Sequence, residues 1–280
     1  MTFSEDPPQS AAITLEDSPL ESARFGFRVG RLTAVEGSDF GAVAVALGRL
    51  DEFDLVILRY PAHHVSWFAA LDAARHLPIH ADTLQYWTKE VYDPVVVSAP
   101  ESDSVSRTAV ITRSALQSDS DLIARMTADV FAGYPNHYAA NPIIDPAWSL
   151  AGYVEWATTS VDRKTEHRRV IVAERSRSPV GFATINIGRD GVEVQLAGVL
   201  TNARRTGVYQ ALLTAVDELT LEVGSTRWKI STQVGNTATL RRWASHGMRP
   251  GKSLQTVHLT RRTLLETLAV STPHSNDRTP

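Results

Sequence analysis

The chain has 280 residues, of which 43% are hydrophobic and 21% are charged, and its formal net charge is −3 at pH 7. This length allows one large or two small domains, and the nearly balanced charge excludes a general attraction to nucleic acid or an anionic membrane. The chain contains no cysteine, which excludes disulfides, thiolate metal sites and a cysteine nucleophile and agrees with the cytoplasmic location that we expect.

Both ends of the chain have the composition of disordered tails. Residues 1–20 are acidic and contain prolines, but they lack the hydrophobic core of a signal peptide. No apolar run elsewhere reaches the roughly 18–20 residues that a membrane span requires. We therefore predict disordered tails over residues 1–20 and 269–280, and no membrane segment.

Residues 21–97 alternate short strand patterns with helical patterns, which is typical of a small α/β domain. The predicted strands are Phe27–Thr33, Leu55–Arg59 and Leu84–Trp87. The predicted helices are Phe40–Leu50 and Val65–His76, and we expect Pro78 to end the second one. Residues 98–107 are rich in Ser, Asp and Pro, which predicts a linker.

Residues 108–268 form the predicted main domain, in which two helical patterns precede three consecutive strand patterns. The predicted strands are Thr108–Thr112, Arg169–Ala173, Val180–Ile187, Val192–Leu200, Trp228–Gln233 and Leu254–Thr260. The predicted helices are Ser118–Phe131, Pro146–Val161, Gly207–Val223 and Asn236–Ser245. The expected fold class is α/β (α+β), with a mixed, twisted sheet flanked by helices and a smaller α/β domain before it.

The segment Val199–Leu213, VLTNARRTGVYQALL, combines a strand end, two arginines, a glycine and the start of an amphipathic helix. Unpaired N–H groups and the positive end of a helix dipole together attract an anion. Gly207 suits a close approach of backbone and ligand because it has no Cβ. The segment therefore predicts a phosphate site beside Arg204 and Arg205, with a purely structural turn as the alternative.

A second strand pattern, Trp228–Gln233, leads into GNTATLRRWASHG. Asn236 is a favourable helix N-cap in this segment, and Gly247 is a typical helix stop. Together with the preceding loop, this arrangement resembles the GCN5-related N-acetyltransferases (GNAT). More narrowly, residues 21–34 and 231–243 resemble those of TDP-fucosamine acetyltransferases.

The resemblance implies a GNAT-type fold, acetyl-CoA as the co-substrate and no metal. The family's pyrophosphate loop follows the pattern Gln/Arg-x-x-Gly-x-Gly/Ala, and here Arg204, Gly207 and Tyr209 occupy the three specified places. The residues that the resemblance assigns to the cofactor are Ala197, Gly198, Val199, Arg204, Arg205, Thr206, Gly207, Val208, Tyr209 and Asn236. From element order alone, we interpret the first domain as a smaller, degenerate GNAT-like copy.

The resemblance also suggests the catalytic groups. A backbone N–H within residues 197–199 is the expected oxyanion donor, a contribution of roughly 3–4 kcal/mol. Glu193 is the candidate general base, because it lies eleven positions before Arg204, the offset at which several family members place a glutamate. Strand alternation predicts that Glu193, Gln195 and Ala197 share one face. A solvent-facing glutamate is the alternative.

Trp243 stands where the family's helix carries a tyrosine that meets the departing thiolate, so it is the candidate catalytic residue on that side. An indole N–H donates a hydrogen bond but is no useful acid at neutral pH. The helical spacing of Leu240, Trp243 and Ala244 equally predicts a core residue. Three readings stay open: the thiolate leaves unprotonated, another group such as His246 or Tyr209 supplies the proton, or catalysis has been lost.

An aromatic and polar segment before the main sheet is the expected acceptor wall. His137, Tyr138 and Trp156 are the candidate substrate residues, since aromatic faces with a few polar groups suit a sugar or nucleobase. Packing on the sheet is the alternative for the aromatic rings, and a hydrogen-bonded loop position is the alternative for His137. No spacing of His, Asp or Glu suggests a metal site.

The expected function is transfer of an acetyl group from acetyl-CoA to the amino group of a small molecule, with a nucleotide-linked amino sugar as the leading candidate. Direct attack by the amine is expected because the chain has no cysteine nucleophile. The alternatives are an acyltransferase for another small amine or acyl chain, and a non-catalytic acyl-CoA-binding protein. We expect no nucleic-acid or membrane partner, and a homodimer is left open.

Overall fold

The computed structural model describes residues 13–71, 75–92, 110–163, 165–189 and 191–271. The predicted linker and most of the two predicted tails lie outside these residues. The chain divides into two compact units. Unit 1 comprises Met1–Thr83, Asn136–Asp145 and Ser253–Pro280, and unit 2 comprises Leu84–Pro135 and Pro146–Lys252.

Ten strands and eight helices lie within the described residues. The strands are β1 (Glu16–Asp17), β2 (Val29–Thr33), β3 (Leu55–Pro61), β4 (His76–Glu90), β5 (Val110–Ser114), β6 (Arg168–Arg175), β7 (Ser178–Gly188), β8 (Gly191–Val199), β9 (Arg227–Gln233) and β10 (Arg249–Arg261). The helices are α1 (Pro19–Phe25), α2 (Phe40–Ala46), α3 (Trp67–Ala70), α4 (Ser120–Phe131), α5 (Pro146–Asp162), α6 (Val208–Glu222), α7 (Thr237–Ser245) and α8 (Arg262–Ser271). Among the described residues, no helix combines the length and the apolar character that crossing a membrane requires.

In unit 1, β2 pairs antiparallel with β1 and parallel with β3, and β10 pairs antiparallel with β3. Alternation along these strands directs one set of side chains into an apolar core against α2 and α3. The main buried members of this core are Leu32, Val43, Phe53, Val56, Leu58, Tyr60, Trp67, Val257 and Leu259. The other set, which includes Arg31, Arg59 and His258, lies on the opposite face.

In unit 2 the strands follow the order β4, β9, β8, β7, β6, β5, in which only β8 and β9 are parallel. One apolar core lies beside α6 and includes Val194, Leu212 and Trp228. A second core lies beside α4 and α5 and includes Phe182 and Leu196. The predicted mixed sheet flanked by helices is therefore confirmed.

The predicted helix Val65–His76 is wrong at both of its ends. Among its described residues, 65–71 and 75–76, Trp67–Ala70 is helical, and β4 begins at His76. His76 is fully buried and its Nε2 lies 3.0 Å from the carbonyl oxygen of Phe53. A contact with a residue distant in the chain therefore decides the conformation, which the local helical spacing could not indicate.

Two segments differ from their predicted assignments to tail and domain. Glu16 and Asp17 pair with β2, so strand and helix structure begins inside the segment predicted as a tail. The last strand was expected to complete the main domain, but its residues 254–260 pair with β3 in unit 1. Both differences arise from pairing between segments that are far apart in the chain.

Candidate functional site

The strands β8 and β9 separate within unit 2. Their parallel pairing covers only Val192 to Val194 opposite Trp228 to Ile230, although β8 continues to Val199 and β9 to Gln233, all within the described residues 191–271. Where adjacent strands diverge, the backbone groups that face the gap lose their strand partners. This separation therefore creates a row of hydrogen-bonding groups that a ligand can use.

A β-bulge in β8 lies at the point of separation. β7 pairs Thr184 with Leu196 and Ile185 with Val194, so Gln195 is an extra residue in β8. The Thr184 hydroxyl oxygen accepts the N–H of Leu196 at 3.1 Å. A side chain of the neighbouring strand thus stabilises the irregular backbone.

The bulge inverts the alternation of side chains along β8. Val194 packs in the core beside α6, whereas Leu196, two residues later, packs in the core beside α4 and α5. Ala197 lies against the α6 core. The prediction that Glu193 and Ala197 share a face is therefore wrong, because the extra residue between them shifts the strand's period.

The backbone N–H groups of Ala197 and Val199 point toward the gap. The N–H of Leu200 donates to the carbonyl of Val180 at 2.9 Å, and the N–H of Leu196 also points toward β7. Because N–H directions alternate along a strand, those of Ala197 and Val199 point to the side where β9 has diverged. At both of these predicted cofactor positions, the backbone N–H is therefore directed into the gap.

Gly198 has a different role from its two neighbours. By the same alternation its N–H points toward β7, so it is not directed at a ligand in the gap. A Cβ at this position would lie 2.6 Å from Val130 Cγ1 of α4. The glycine therefore permits close packing of α4 on the sheet, and its contact with the cofactor stays a prediction.

A tight loop joins β8 to α6. Thr201–Ala203 forms a 3₁₀ turn, and the Thr206 hydroxyl donates to the Ala203 carbonyl at 2.7 Å. Arg205 and Gly207 both have left-handed backbone, with φ of 64° and 86°. Glycine adopts this conformation freely, but at Arg205 it costs about 1–3 kcal/mol, a strain that is typical of ligand-binding loops.

The loop presents several positive groups to an open space. The Gly207 carbonyl accepts the N–H of Ala211 at 3.0 Å, so the N–H groups of Val208–Gln210 have no acceptor within the helix. Arg204 and Arg205 are exposed, and neither forms an ion pair with a described residue. A Cβ built at Gly207 would meet nothing within 4 Å. This arrangement fits an anionic ligand at the helix N-terminus.

Asn236 precedes α7, but its side chain does not cap that helix. The amide instead donates to the Thr232 hydroxyl at 3.0 Å, and the Tyr134 hydroxyl lies 3.1 Å from the same oxygen and also bonds Gln233. Asn236 therefore occupies the predicted N-cap position, and its carbonyl accepts the N–H of Leu240 at 3.1 Å, but its side chain makes no capping hydrogen bond. The amide instead stabilises the end of β9, in the region where β8 and β9 have diverged.

Trp243 is a core residue with only 1% of its surface exposed, and its ring lies 6.2 Å from that of Trp87. Its indole N–H donates to the Tyr209 hydroxyl at 2.9 Å. The N–H is thus occupied, and the structure favours the core alternative over the catalytic prediction. Burial raises the pKa of Tyr209 to about 12, so its own O–H proton stays in place at neutral pH.

A buried polar network that the sequence analysis missed lies beneath the first turns of α6. His246 lies 2.7 Å from Gln210 through Nδ1, and 3.0 Å from Lys89 and 2.9 Å from Asp217 through Nε2. Asp217 also pairs with Lys89 at 2.5 Å and accepts the Trp228 N–H at 2.7 Å. Both ring nitrogens of His246 therefore have partners within unit 2.

The electrostatics of this network favour a charged carboxylate. Burial by itself would raise the pKa of Asp217, but the hydrogen bonds from His246, Lys89 and Trp228 outweigh it, and the net pKa is lowered. In the sequence, the only indication of this network was Asp217, a charged residue among the apolar positions of α6. Its partners lie on other elements and were therefore not predictable.

Glu193 forms an ion pair with Lys229 at 3.3 Å, and 29% of its side chain is exposed. The pair borders a groove of about 350 Å³ that is also lined by His167, Asn186 and Arg189. Glu193 lies in the paired part of β8, and its β7 partner is three residues from that of Ala197, which separates the two backbones by about 10 Å. These features favour the alternative interpretation of Glu193, a solvent-facing glutamate on a strand, over its prediction as the general base.

The three predicted substrate residues have different surroundings. In unit 1, His137 is 5% exposed with its Nδ1 2.9 Å from His258 Nε2, and the Tyr138 hydroxyl donates to Glu21. Both side chains are therefore part of a hydrogen-bonded network. In unit 2, Trp156 of α5 is 44% exposed, so its ring is available to a ligand.

Residues 137–248 match the model of the acetyltransferase (GNAT) family. No curated protein sequence matches the chain. Among solved structures, the chain resembles a functionally unknown conserved protein from Staphylococcus epidermidis (8% identity, TM-score 0.55, 93% of this chain and 96% of that one). It also resembles GCN5-related N-acetyltransferases from Kribbella flavida (16% identity, TM-score 0.52, 82% and 81%) and Sphaerobacter thermophilus (14% identity, TM-score 0.52, 82% and 72%). These similarities establish a GNAT-type fold.

Proposed function

We propose that this chain is an N-acetyltransferase that uses acetyl-CoA and acts on the amino group of a small molecule. One observation carries the proposal. The arginine loop joins β8 to α6, and both elements have backbone N–H groups without a partner in their own element. Those of β8 point into the β8–β9 gap, and those of α6 lie at its open N-terminal end. The match of residues 137–248 to the GNAT acetyltransferase model supports the same reading.

The loop residues would hold the diphosphate of the co-substrate. The N–H groups of Val208–Gln210 supply neutral donors with fixed directions, and Arg204 and Arg205 supply positive charge without a competing carboxylate. Acetyl-CoA, when bound, contributes an acetyl group activated as a thioester. The space in front of Gly207 leaves room for phosphate oxygens against the backbone.

The N–H groups of Ala197 and Val199 are the candidate donors for the oxygen that becomes negative when an amine attacks the acetyl carbonyl. Their directions are set by the bulge and by the pairing with β7, so they need no rearrangement during the reaction. Removal of one such donor costs roughly 3–4 kcal/mol in other enzymes. This contribution is inaccessible to side-chain substitution because the backbone supplies it.

Glu193 contributes little to deprotonation of the amine in this proposal. Its ion pair with Lys229 and its distance of about 10 Å from Ala197 separate it from the gap. An amine with a pKa near 8 is partly neutral at pH 7, so water can carry the remaining proton away. We expect Glu193→Gln to lower kcat by less than the 10²–10⁴-fold that is typical of a general base.

Tyr209 has the role, a hydrogen bond to the departing thiolate, that the resemblance assigned to Trp243. The Tyr209 oxygen accepts the indole N–H, which leaves its own O–H without an acceptor among the described residues. With a pKa of about 12 it is a poor acid toward a thiolate whose conjugate acid has a pKa near 8.5. It can stabilise that thiolate by a hydrogen bond while the thiolate leaves unprotonated.

The acceptor proposed is a nucleotide-linked amino sugar. The exposed ring of Trp156 offers an aromatic face for a sugar or base, whereas His137 and Tyr138 are engaged in their own network. The likeness of residues 231–243 to TDP-fucosamine acetyltransferases supports this choice. The location proposed is the cytoplasm.

Calorimetric titration with acetyl-CoA tests the site. We expect micromolar affinity for the natural chain, a Kd about 10- to 100-fold higher for Arg204→Ala, and no binding for Gly207→Glu, whose carboxylate would occupy the anion's space. Arg163→Ala, which removes an exposed positive charge at the end of α5, is the matched control and should bind normally. Unchanged affinity in both loop variants would contradict the assignment.

Release of free thiol from acetyl-CoA with a panel of amino-sugar nucleotides tests the activity. Turnover with at least one of them, lost in Arg204→Ala, supports the enzyme. Binding without turnover on any amine would instead favour a non-catalytic acyl-CoA-binding protein.

A further inference from the structure

The face of the unit 1 sheet that lies away from α2 and α3 carries a polar cluster. Its carboxylate, Glu21, is only 5% exposed in its side chain and is saturated. Arg31 donates to its two oxygens at 2.6 and 2.7 Å, Ser18 donates at 2.6 Å, and the Tyr138 hydroxyl donates to it as well. The charges of Glu21 and Arg31 therefore cancel within one closed set of hydrogen bonds.

The two histidines of the cluster are neutral. The Asn141 amide donates to Thr260 at 2.8 Å and lies 3.3 Å from His258 Nδ1, so His258 carries its proton on Nε2 and donates it to His137 Nδ1 at 2.9 Å. Burial, followed by the nearby positive charge of Arg59, lowers the pKa of His137 well below its ordinary value. These rings cannot provide a counter-charge.

Arg59 is the uncompensated charge of this cluster. Its Nε is buried without a hydrogen-bond partner, and Arg59 forms no ion pair with any described residue. The charged groups that act on the two histidines are Arg59, Arg31 and Glu21, which leave a net charge of one positive unit. Its buried Nε has no acceptor and no carboxylate balances its charge, so a negative ligand would stabilise this guanidinium.

Thr256 supplies a second orphaned polar group at the same place. It is fully buried, and its Oγ1 has no hydrogen-bond partner. Thr256 and Arg59 are register partners in the β3–β10 pair, so their Cβ atoms are about 4.5–5.5 Å apart on one face. An oxygen atom that accepts from both would satisfy a guanidinium N–H and a hydroxyl at once.

We propose that this face of unit 1 is a binding site for a small oxyanion, a carboxylate or phosphate group, held between the Arg59 guanidinium and the Thr256 hydroxyl. Arg59 is partly exposed, although its Nε is buried. The planar guanidinium matches the paired oxygens of either group. The ligand neutralises the positive charge of Arg59. Glu21 does not neutralise it, because both of its carboxylate oxygens already accept hydrogen bonds from other residues.

Thermal unfolding of the full chain tests the site in the background Arg204→Ala/Arg205→Ala, which removes the proposed diphosphate loop. The probes are inorganic phosphate and succinate, with sodium chloride at equal ionic strength as the reference. At about ten times Kd, we expect the better probe to raise the midpoint by about 2–4 °C. The larger shift identifies phosphate or carboxylate as the preferred group.

Two variants and a control locate the effect. Arg59→Gln and Thr256→Val should each lose the anion-dependent shift, and the nearly isosteric Thr256→Val serves if Arg59→Gln does not fold. Arg75→Gln, which removes an exposed arginine of the same unit paired with Asp51, should keep it. No shift beyond that of chloride, or an equal shift in the two variants and the control, would overturn the proposal, whatever the outcome of acetyl-CoA binding.

Discussion

The network around Glu21 and His258 in unit 1 and the β8–α6 loop in unit 2 differ in whether their hydrogen bonds are satisfied. In unit 1, Glu21 accepts four hydrogen bonds, and Asn141, His258 and His137 form a continuous chain. The loop of unit 2 has the opposite character, with exposed arginines and helix N–H groups that lack acceptors.

This difference shows why residue type alone does not identify a binding site. His137 and Tyr138 have side chains that suit a substrate, yet both are used within the protein. Val208 and Ala197 have no functional side chain, yet their backbone N–H groups are available. The count of unsatisfied donors therefore indicates a site better than the count of polar residues.

The largest effect that follows from this comparison is expected at Glu21. Glu21→Gln should lower the free energy of unfolding by about 2–3 kcal/mol, below the 3–5 kcal/mol of a fully buried pair because Arg31 is 40% exposed. Urea unfolding measures it, with Glu36→Gln as the exposed control. If both substitutions lowered the free energy of unfolding equally, the hydrogen bonds of Glu21 would contribute no more to stability than those of an exposed glutamate.

The next effect compares two glycines of the candidate site. Gly198→Ala should cost about 2 kcal/mol because its Cβ meets Val130, and Gly207→Ala about 1 kcal/mol because only its φ of 86° is strained. The free energies of unfolding of the two variants give the test. A larger loss for Gly207→Ala would mean that the loop, not the packing of α4, is the tightly filled region.

The pH dependence of stability sharpens the comparison for unit 1. Burial lowers the pKa of His258 to about 3, so below about pH 6.5 the unfolded state binds a proton that the folded state excludes. The contribution of His258 to stability is complete above that pH and falls by roughly 1.4 kcal/mol per pH unit until the folded pKa, and the lowered pKa of His137 adds a fall of the same sign. Unfolding curves from pH 7 to pH 4 measure this slope, and His258→Gln should reduce it. An unchanged slope would contradict the neutral assignment.

The smallest effect is expected at Tyr209, whose hydroxyl accepts the buried N–H of Trp243 within unit 2. Tyr209→Phe leaves the buried Trp243 N–H without its acceptor, which should cost about 1 kcal/mol of stability. If the O–H also stabilises the thiolate, kcat should fall about tenfold while the Kd for acetyl-CoA stays the same. Full activity with normal stability would indicate that neither hydrogen bond matters.

Some of these features could be predicted from the sequence because they depend on near neighbours. The strand before Val199, the arginine pair and the glycine at 207 form one continuous segment, and they are found together at the start of α6. The helices α4 to α7 begin and end within a few residues of their predicted bounds, since caps and helical spacing are local signals.

Other features depend on pairing that no local pattern contains. The bulge at Gln195 exists because β7 pairs out of step with β8, and it places Ala197 on the face opposite to that of Glu193. Trp243 lost its predicted role because Tyr209, on another helix, accepts its N–H.

By itself, the sequence determined the order of strands and helices and the presence of an arginine–glycine turn before α6. Only the tertiary structure decided which donors remain open, from the N–H groups of Ala197 and Val199 to the guanidinium of Arg59. The physical reason is that local conformation follows from adjacent residues, whereas satisfaction of a hydrogen bond depends on a partner brought in from a distant part of the chain.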